Sequence, residues 1–430
     1  MGPGRGHASR EITGSHKIER GNKIQIGKTT TAITLSLLII SAVSGFYFWK
    51  HGGKPPLVIS RSVILEPGLV PHPNAIARTQ DDGFLIVGEI PAAQQAWATR
   101  TDSEGNVRWR YVLSPHDAPP YQAFYPNFSD AVAMPNGDSF LCGQMPVLPR
   151  NTQALISHLN AEGKLIEERL FEPKQKEYFG AGIEHCFRFR GGFVSIGTRL
   201  KHDSGKNYPN TPTHFYYWIV FWNNDGKFIF EQYITSDNKN ISNIDIIDVK
   251  ENYFTISSSG PIDSEVVKIL PDASVSNRFS VEKSFRGVNS IHEDGFIRLI
   301  SQTTHPLTLI TLDNELKEIS RISEDHEGAT IRRAFRLGQG DILAFGDEDN
   351  HYDHYPPQAV FIDKKISEFS KIPLGQPNEV NCCDGGSSTS YSPNTFVNVR
   401  GSMQRTSSGL FKSEIERVGA VLDFVQINHP

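Results

Sequence analysis

Ala75-Ile-Ala-Arg-Thr79, a turn at Asp81-Asp-Gly83, Phe84-Leu-Ile-Val-Gly88, Trp97-Ala-Thr-Arg-Thr101, a turn at Asp102-Ser-Glu-Gly-Asn106 and Val107-Arg-Trp-Arg-Tyr-Val-Leu113 follow one another in the chain. Four short apolar runs, two of them reached through Asp/Gly turns, read as a four-stranded antiparallel unit. Asp, Asn and Gly supply the positive φ that such tight hairpins need. One sheet of this kind cannot bury both of its faces, so recurrence of the unit means stacked or radial sheets.

The unit does recur to the C-terminus. Its first turn is read again at Asn136-Gly137, Gly191-Gly192, Glu251-Asn252, Asp294-Gly295, Gly338-Gln-Gly340 and Pro393-Asn394. Its second turn is read again at Ala161-Glu-Gly163, Asn224-Asp-Gly226, Pro271-Asp-Ala273, Asp313-Asn-Glu315, Asp363-Lys-Lys365 and Arg417-Val-Gly419. A mean spacing of roughly 50 residues is the period of propeller blades. The expectation is an all-β, seven-bladed β-propeller of four-stranded antiparallel blades over residues 57–430. Runs such as Phe84-Leu-Ile-Val and Phe193-Val-Ser-Ile suit strands covered on both faces. Trp97, Trp109, Trp218 and Trp222 are expected in the core. Leu57–Leu65 reads as a lone strand that either pairs with the last blade or stays outside the ring.

Asp102-Ser-Glu-Gly-Asn-Val-Arg-Trp-Arg-Tyr111 resembles the blade motif of bacterial quinoprotein-like and delta-60-type propellers. Asn160-Ala-Glu-Gly-Lys-Leu-Ile166 and Asn223-Asn-Asp-Gly-Lys-Phe-Ile229 are similar but lack the tryptophan. The resemblance implies a propeller and no particular chemistry, because this architecture hosts binding proteins, scaffolds and enzymes alike.

The N-terminus reads differently. Residues 1–28 form a polar leader with six Lys/Arg against two Glu, a composition that favours disorder. Residues 29–49 carry no charge over 21 positions and end in Phe46-Tyr-Phe-Trp49, enough for a membrane-spanning helix with an aromatic interfacial end. The denser positive charge before the segment places the N-terminus in the cytoplasm and exports the remainder. Residues 50–56 are a short Gly/Pro spacer. The expected setting is a signal-anchored, single-pass protein of a bacterial inner membrane, facing the periplasm.

A formal charge of −5 over 430 residues gives a nucleic-acid partner no electrostatic support. G-x-S-x-G, Walker and dinucleotide motifs are missing from the sequence. Of the four cysteines, Cys142 and Cys186 fall on strands of neighbouring units, where a disulfide or two buried thiols are both open. Cys382-Cys383 fall in a loop.

Tight turns join strands one to two and three to four, whereas the longer insertions lie between strands two and three and between units. In an up-and-down blade the long connections emerge on one face, and binding residues concentrate on such loops. Tyr121, Phe124, Tyr125, Phe128, Tyr178, Phe179, Tyr208, Tyr352 and Tyr355 sit in these insertions. Tyr121, Phe124, Tyr125, Tyr178, Phe179, Tyr208, Tyr352 and Tyr355 are the candidate contacts for a protein or envelope partner. His351, Asp353 and His354 group two imidazoles and a carboxylate that could hold a divalent metal; no other cofactor is expected. His116-Asp117 and His202-Asp203 occur in two further insertions. The leading expectation is a non-catalytic binding module of immunity or inhibitor type. The alternatives are an enzyme with a metal or small molecule over the pore, and an envelope scaffold.

Overall fold

The computed structural model describes residues 57–67, 71–114, 125–147, 151–171, 178–179, 182–202, 213–237, 241, 243–259, 264–281, 288–293, 296–301, 307–324, 330–336, 342–347, 357–362, 369–373, 379–381, 387–392, 395–408 and 412–427. The leader and the apolar segment 29–49 lie outside them. Among the described residues no helix is long and apolar enough to cross a membrane.

Strand β1 is Leu57–Pro67. Sheet 1 contains β2 (His72–Arg78), β3 (Phe84–Ile90), β4 (Gln95–Thr101) and β5 (Val107–Leu113). Sheet 2 contains β6 (Asn127–Ala133), β7 (Ser139–Val147), β8 (Asn151–Leu159) and β9 (Leu165–Phe171). Sheet 3 has five strands: β10 (Tyr178–Phe179), β11 (His185–Phe189), β12 (Gly192–His202), β13 (Thr213–Asn223) and β14 (Phe228–Thr235). Sheet 4 contains β15 (Asn243–Lys250), β16 (Tyr253–Ser259), β17 (Ser264–Ile269) and β18 (Val275–Val281). Sheet 5 contains β19 (Val288–Glu293), β20 (Phe296–Ser301), β21 (Leu307–Asp313) and β22 (Glu318–Glu324). Sheet 6 contains β23 (Thr330–Arg336), β24 (Ile342–Asp347), β25 (Pro357–Ile362) and β26 (Phe369–Pro373). Sheet 7 joins β27 (Glu379–Asn381), β28 (Ser387–Ser392), β29 (Thr395–Ser408) and β30 (Lys412–Ile427) to β1.

The first strands β2, β6, β11, β15, β19, β23 and β28 touch one another in that order, and β28 returns to touch β2. This closes a ring of sheets about an axis, the arrangement of a β-propeller. β1 pairs antiparallel with β30 from Leu57↔Ile427 to Pro67↔Gly419, so the strand left open by the sequence is the outer strand of sheet 7. Pairing the first and last strands of the propeller in one sheet fastens the ring with backbone hydrogen bonds. The turn expected at Arg417-Val-Gly419 is not one: these residues lie inside β30, opposite an irregularity at Ser402/Met403. With β1 supplying the outer strand, sheet 7 needs no such hairpin.

Cores lie between successive sheets rather than within any one. Leu85 and Val87 pack with Phe128, Leu141 and Leu155 of sheet 2. Their neighbours Phe84 and Ile86 point the other way, toward Leu65 of sheet 7. Alternate side chains thus fill two different cores, which is why β3 is apolar at nearly every position. The same division recurs between sheets 2 and 3 with Phe193, Trp218 and Trp222, and between sheets 3 and 4 with Tyr217, Phe254 and Ile256. All four tryptophans expected inside are buried.

The repeated turn has one construction. Asp102, Asn160, Asn223 and Asp313 each accept two backbone N–H groups, from the residues two and four further on, at their side-chain Oδ1. The fourth turn residue is left-handed whether it is Gly163 (φ 76), Ala273 (φ 63) or Leu316 (φ 59). Hydrogen bonding therefore keeps the loop even where a side chain costs about 1 kcal/mol in that region.

The tryptophan of the blade motif docks on the next turn. Trp109 Nε1 donates to Ala161 O at 3.1 Å, and the ring covers Gly163 so closely that a Cβ there would lie 2.5 Å from it. Its absence from other repeats has a physical reason. Arg169 donates to Gly226 O, and Asn277 donates to Glu315 O, so other side chains make the same link between an outer strand and the following turn.

Candidate functional site

The first strands carry polar residues toward the ring axis. Arg78, Asp130, His185, Arg188 and Asp245, from β2, β6, β11 and β15, line a cavity of about 300 Å³. Asp130 Oδ2 lies 3.0 Å from His185 Nδ1 and accepts Cys186 N–H at 3.2 Å. His185 Nε2 lies 2.6 Å from Ile244 O. Asn74 Nδ2 donates to Phe128 O at 2.9 Å. Each of these bonds joins one sheet to the next. They form a belt of latches across sheets 1 to 4 in which His185 uses both ring nitrogens, so Asp130 and His185, which line the channel, also tie sheets 2, 3 and 4 together.

The belt is made possible one strand further out. At Gly88 and Gly143 a Cβ would come within 1.9 Å of the carbonyl oxygens of His72 and Asn127. These glycines face the bulges at Pro73/Ala75 and Phe128/Asp130 in the first strands. A bulge re-aims the side chains beyond it. The channel residues form no motif in the sequence because they are single Asp, His and Arg residues spread over four repeats. The signal that marks them is the recurrent strand-two glycine in Phe84-Leu-Ile-Val-Gly88 and Phe140-Leu-Cys-Gly143.

Cys142 of β7 and Cys186 of β11 form a disulfide between sheets 2 and 3, with Cα atoms 6.5 Å apart. Both residues are buried. Cys382 and Cys383 lie outside the described residues.

A second polar cluster lies in sheet 3 near the strand ends from which the connection 203–212 departs. The fully buried Arg199 guanidinium sits 3.6 Å from the Trp218 ring centroid, and Trp218 Nε1 donates to Glu231 Oε2 at 2.9 Å. Burial draws Arg199 down to about 9, against the pull of Tyr233, Glu231 and Glu184. Burial also pushes Glu184 up, although Thr198 Oγ1 donates to it at 2.7 Å. Between sheets 3 and 4, Glu265 accepts from Tyr217 at 2.5 Å and from Ser236, and pairs with Arg278 at 3.0 Å. A buried ion pair with its remaining lone pairs filled stabilises a junction far better than a half-satisfied one.

Among the aromatic candidates, Tyr125 is half-buried and folds inward: its hydroxyl reaches Glu89 Oε1 at 3.3 Å, and Glu89 also lies 3.5 Å from His72. Burial, reinforced by the Glu89 carboxylate, pushes its hydroxyl up to about 12. Phe128, grouped with the loop aromatics by sequence, is fully buried in β6 and belongs to the core between sheets 1 and 2. It sits between the half-buried Asn127 and Ser129 of the same strand, whose side chains point to the other face. Tyr178 and Phe179 form β10, paired with Lys201 and Leu200, so this insertion adds a strand to sheet 3. Tyr121, Phe124, Tyr208, Tyr352 and Tyr355 lie outside the described residues, as do His351, Asp353, His354, His116, Asp117 and Asp203. Among the described residues, no group of three or more His, Cys, Asp or Glu is placed to hold a metal ion.

No known family matches the chain, and no curated protein matches it in sequence. Among solved structures, the Dos1 propeller aligns with 83% of this chain and 77% of its own, at 11% identity and a TM-score of 0.46. A protein of unknown function from Dyadobacter fermentans aligns with 87% of this chain and 100% of its own, at 9% identity and a TM-score of 0.43. A structure from a study of two prolyl endopeptidases aligns with 85% of this chain and 51% of its own, at 11% identity and a TM-score of 0.44.

Proposed function

We propose that the chain is a seven-bladed propeller, tethered to a membrane by residues 29–49 and displayed outside the cytoplasm, that acts as a non-catalytic binding module. Its partner, a protein or envelope component, docks on the face that carries the long connections. Capture of a toxin at the membrane, in the manner of an immunity protein, is one concrete form. The observation that carries the reading is the asymmetry of the connections. The described turns Thr79–Gly83, Asp102–Asn106, Met134–Asp138, Asn160–Lys164 and Asn223–Lys227 are closed by their own backbone hydrogen bonds and occupy one end of the strands. The connections 114–126, 203–212 and 348–356 leave from the other end.

Two further observations support it. The disulfide between sheets 2 and 3 is a bond that persists in oxidising compartments and is rare in the cytosol. The His185–Asp130 pair is spent on joining sheets, which suits a rigid scaffold better than acid–base work. The quinoprotein-like resemblance is kept at the level of the blade, where Trp109 on Gly163 accounts for the motif.

Photo-crosslinking in the native envelope tests the reading. A crosslinker at exposed Ser114, on the long-loop end, should trap a partner, while one at exposed Glu162, on the opposite turn, should not. Crosslinks from Glu162 alone would place the partner on the wrong face. The second reading, a small-molecule site, is favoured by the channel cavity, whose size of about 300 Å³ is at the lower end of ligand pockets. A metal bound at His351, Asp353 and His354 would belong to that reading, and elemental analysis of the purified chain decides it.

A further inference from the structure

The chain enters the ring at one end of the strands, and that end is the short-turn face. Leu57 pairs with Ile427, next to Gln426, which pairs with Thr395. Thr395 closes the tight hairpin with Ser392, so Leu57 lies at the turn end of sheet 7. At its other end β1 passes through residues 68–71 into β2, on the long-connection face. Residues 50–56 separate Leu57 from the apolar segment 29–49, and seven residues reach at most about 25 Å fully extended. A seven-residue strand such as β3 spans about 23 Å, so the two faces are separated by nearly the whole reach of the spacer.

The same end carries a repeated apolar rim. Ile166, Ile229 and Ile319 are 54%, 56% and 54% exposed, each the second residue of an outer strand just after a short turn. Each stands two residues after a lysine, in Lys164-Leu-Ile166, Lys227-Phe-Ile229 and Lys317-Glu-Ile319. The lysines close the short turns and the isoleucines follow within the outer strands. An apolar side chain beside a lysine that can extend toward phosphate is the pairing found at membrane interfaces. Glu162, Asp225 and Glu315 in the same turns balance the lysines, so this rim gains nothing from anionic lipid and relies on its isoleucines.

We infer that the short-turn face, rimmed by Ile166, Ile229 and Ile319, is the surface turned toward the lipid bilayer, which leaves the long-connection face pointing away from the membrane. The inference rests on the reading of residues 29–49 as a membrane anchor. It means that the partner is met on the side remote from the lipid.

The test uses the full chain, with Cys382 and Cys383 changed to Ser, reconstituted in phosphatidylcholine vesicles. Flotation comes first: a chain that does not rise with the vesicles defeats the anchor reading, and with it the orientation. A fluorophore is then placed on Ile166→Cys or on Ser114→Cys and challenged with lipid carrying a headgroup spin label. The expected result is quenching at position 166 and none at position 114. Equal quenching at both, or quenching at 114 alone, in a chain that still floats overturns the orientation and leaves the anchor standing. Ile229→Ser with Ile319→Ser should weaken quenching at 166; full retention would show the tether alone sets the geometry and would remove the rim from the proposal.

Discussion

Replacing Gly163 by Ala isolates what the blade motif contributes. Gly163 has φ 76, and a Cβ there would lie 2.5, 2.6 and 2.9 Å from three atoms of the Trp109 indole. Gly191 has nearly the same backbone, φ 79, but a Cβ would meet nothing within 4 Å. Gly191→Ala therefore carries only the left-handed penalty of about 1 kcal/mol. Gly163→Ala carries that penalty and the displacement of a buried indole, an overpacking cost of about 2 kcal/mol, for about 3 kcal/mol in all. Trp109→Ala alone should cost about 4 kcal/mol, since a large core side chain is lost. In that background Gly163→Ala should fall back to about 1 kcal/mol, giving a coupling of about 2 kcal/mol. The assay is equilibrium unfolding in urea, followed by tryptophan fluorescence and circular dichroism, for the four chains of the cycle and the Gly191 control. Equal losses for Gly163→Ala and Gly191→Ala, or a coupling below about 0.5 kcal/mol, would refute the docking of Trp109 on the neighbouring turn.

The disulfide closes a sequence separation of 44, for which loop entropy gives about 4 kcal/mol as an upper figure, so Cys142→Ala with Cys186→Ala should lower the unfolding midpoint sharply. Alkylation of both thiols in the folded chain taken from its native compartment would contradict the bond. Burial raises the Asp81 carboxyl, but donation from Thr79 and Arg100 and the Arg100 charge together hold it at about 2. Its folded value is below its unfolded one, so the stabilisation is present above about pH 4 and is lost as pH falls through 2. Because Asp81 is a third exposed the effect is discounted to about 1 kcal/mol, and Asp81→Asn should narrow toward wild type in urea midpoint between pH 5 and pH 2. A constant difference across that range would exclude the linkage. Asp130→Ala removes the acceptor of His185 and of Cys186 N–H, and should cost about 2 kcal/mol; no change in midpoint would show that the channel belt does not brace the ring.

Much of the architecture was legible because its signals are local. Asp102, Asn160, Asn223 and Asp313 close their turns through their own side chains, and such turns can be read one at a time. The unbroken run Phe84-Leu-Ile-Val announced a strand covered on both faces. The seventh unit misled for the complementary reason. Its outer strand is β1, and a repeat read in order looks for that strand after a turn at Arg417–Gly419, residues that lie inside the single strand β30. Phe128, at the end of an aromatic insertion in the sequence, lies in β6 with its ring buried, and the Tyr125 hydroxyl meets Glu89, because both partners come from elsewhere in the ring.

The sequence by itself determined the all-β repeat, the Asp/Asn-closed turns at Asp102, Asn160, Asn223 and Asp313, the core tryptophans and the apolar N-terminal segment, because each depends on residues within a few positions of one another. Only the tertiary structure decided that β1 completes sheet 7, that Cys142 bonds Cys186, and that Asp130, His185 and Asp245 meet on one channel. Those contacts join residues from different sheets. They exist only once ring closure has brought distant strands side by side, a long-range condition that no local pattern in the chain encodes.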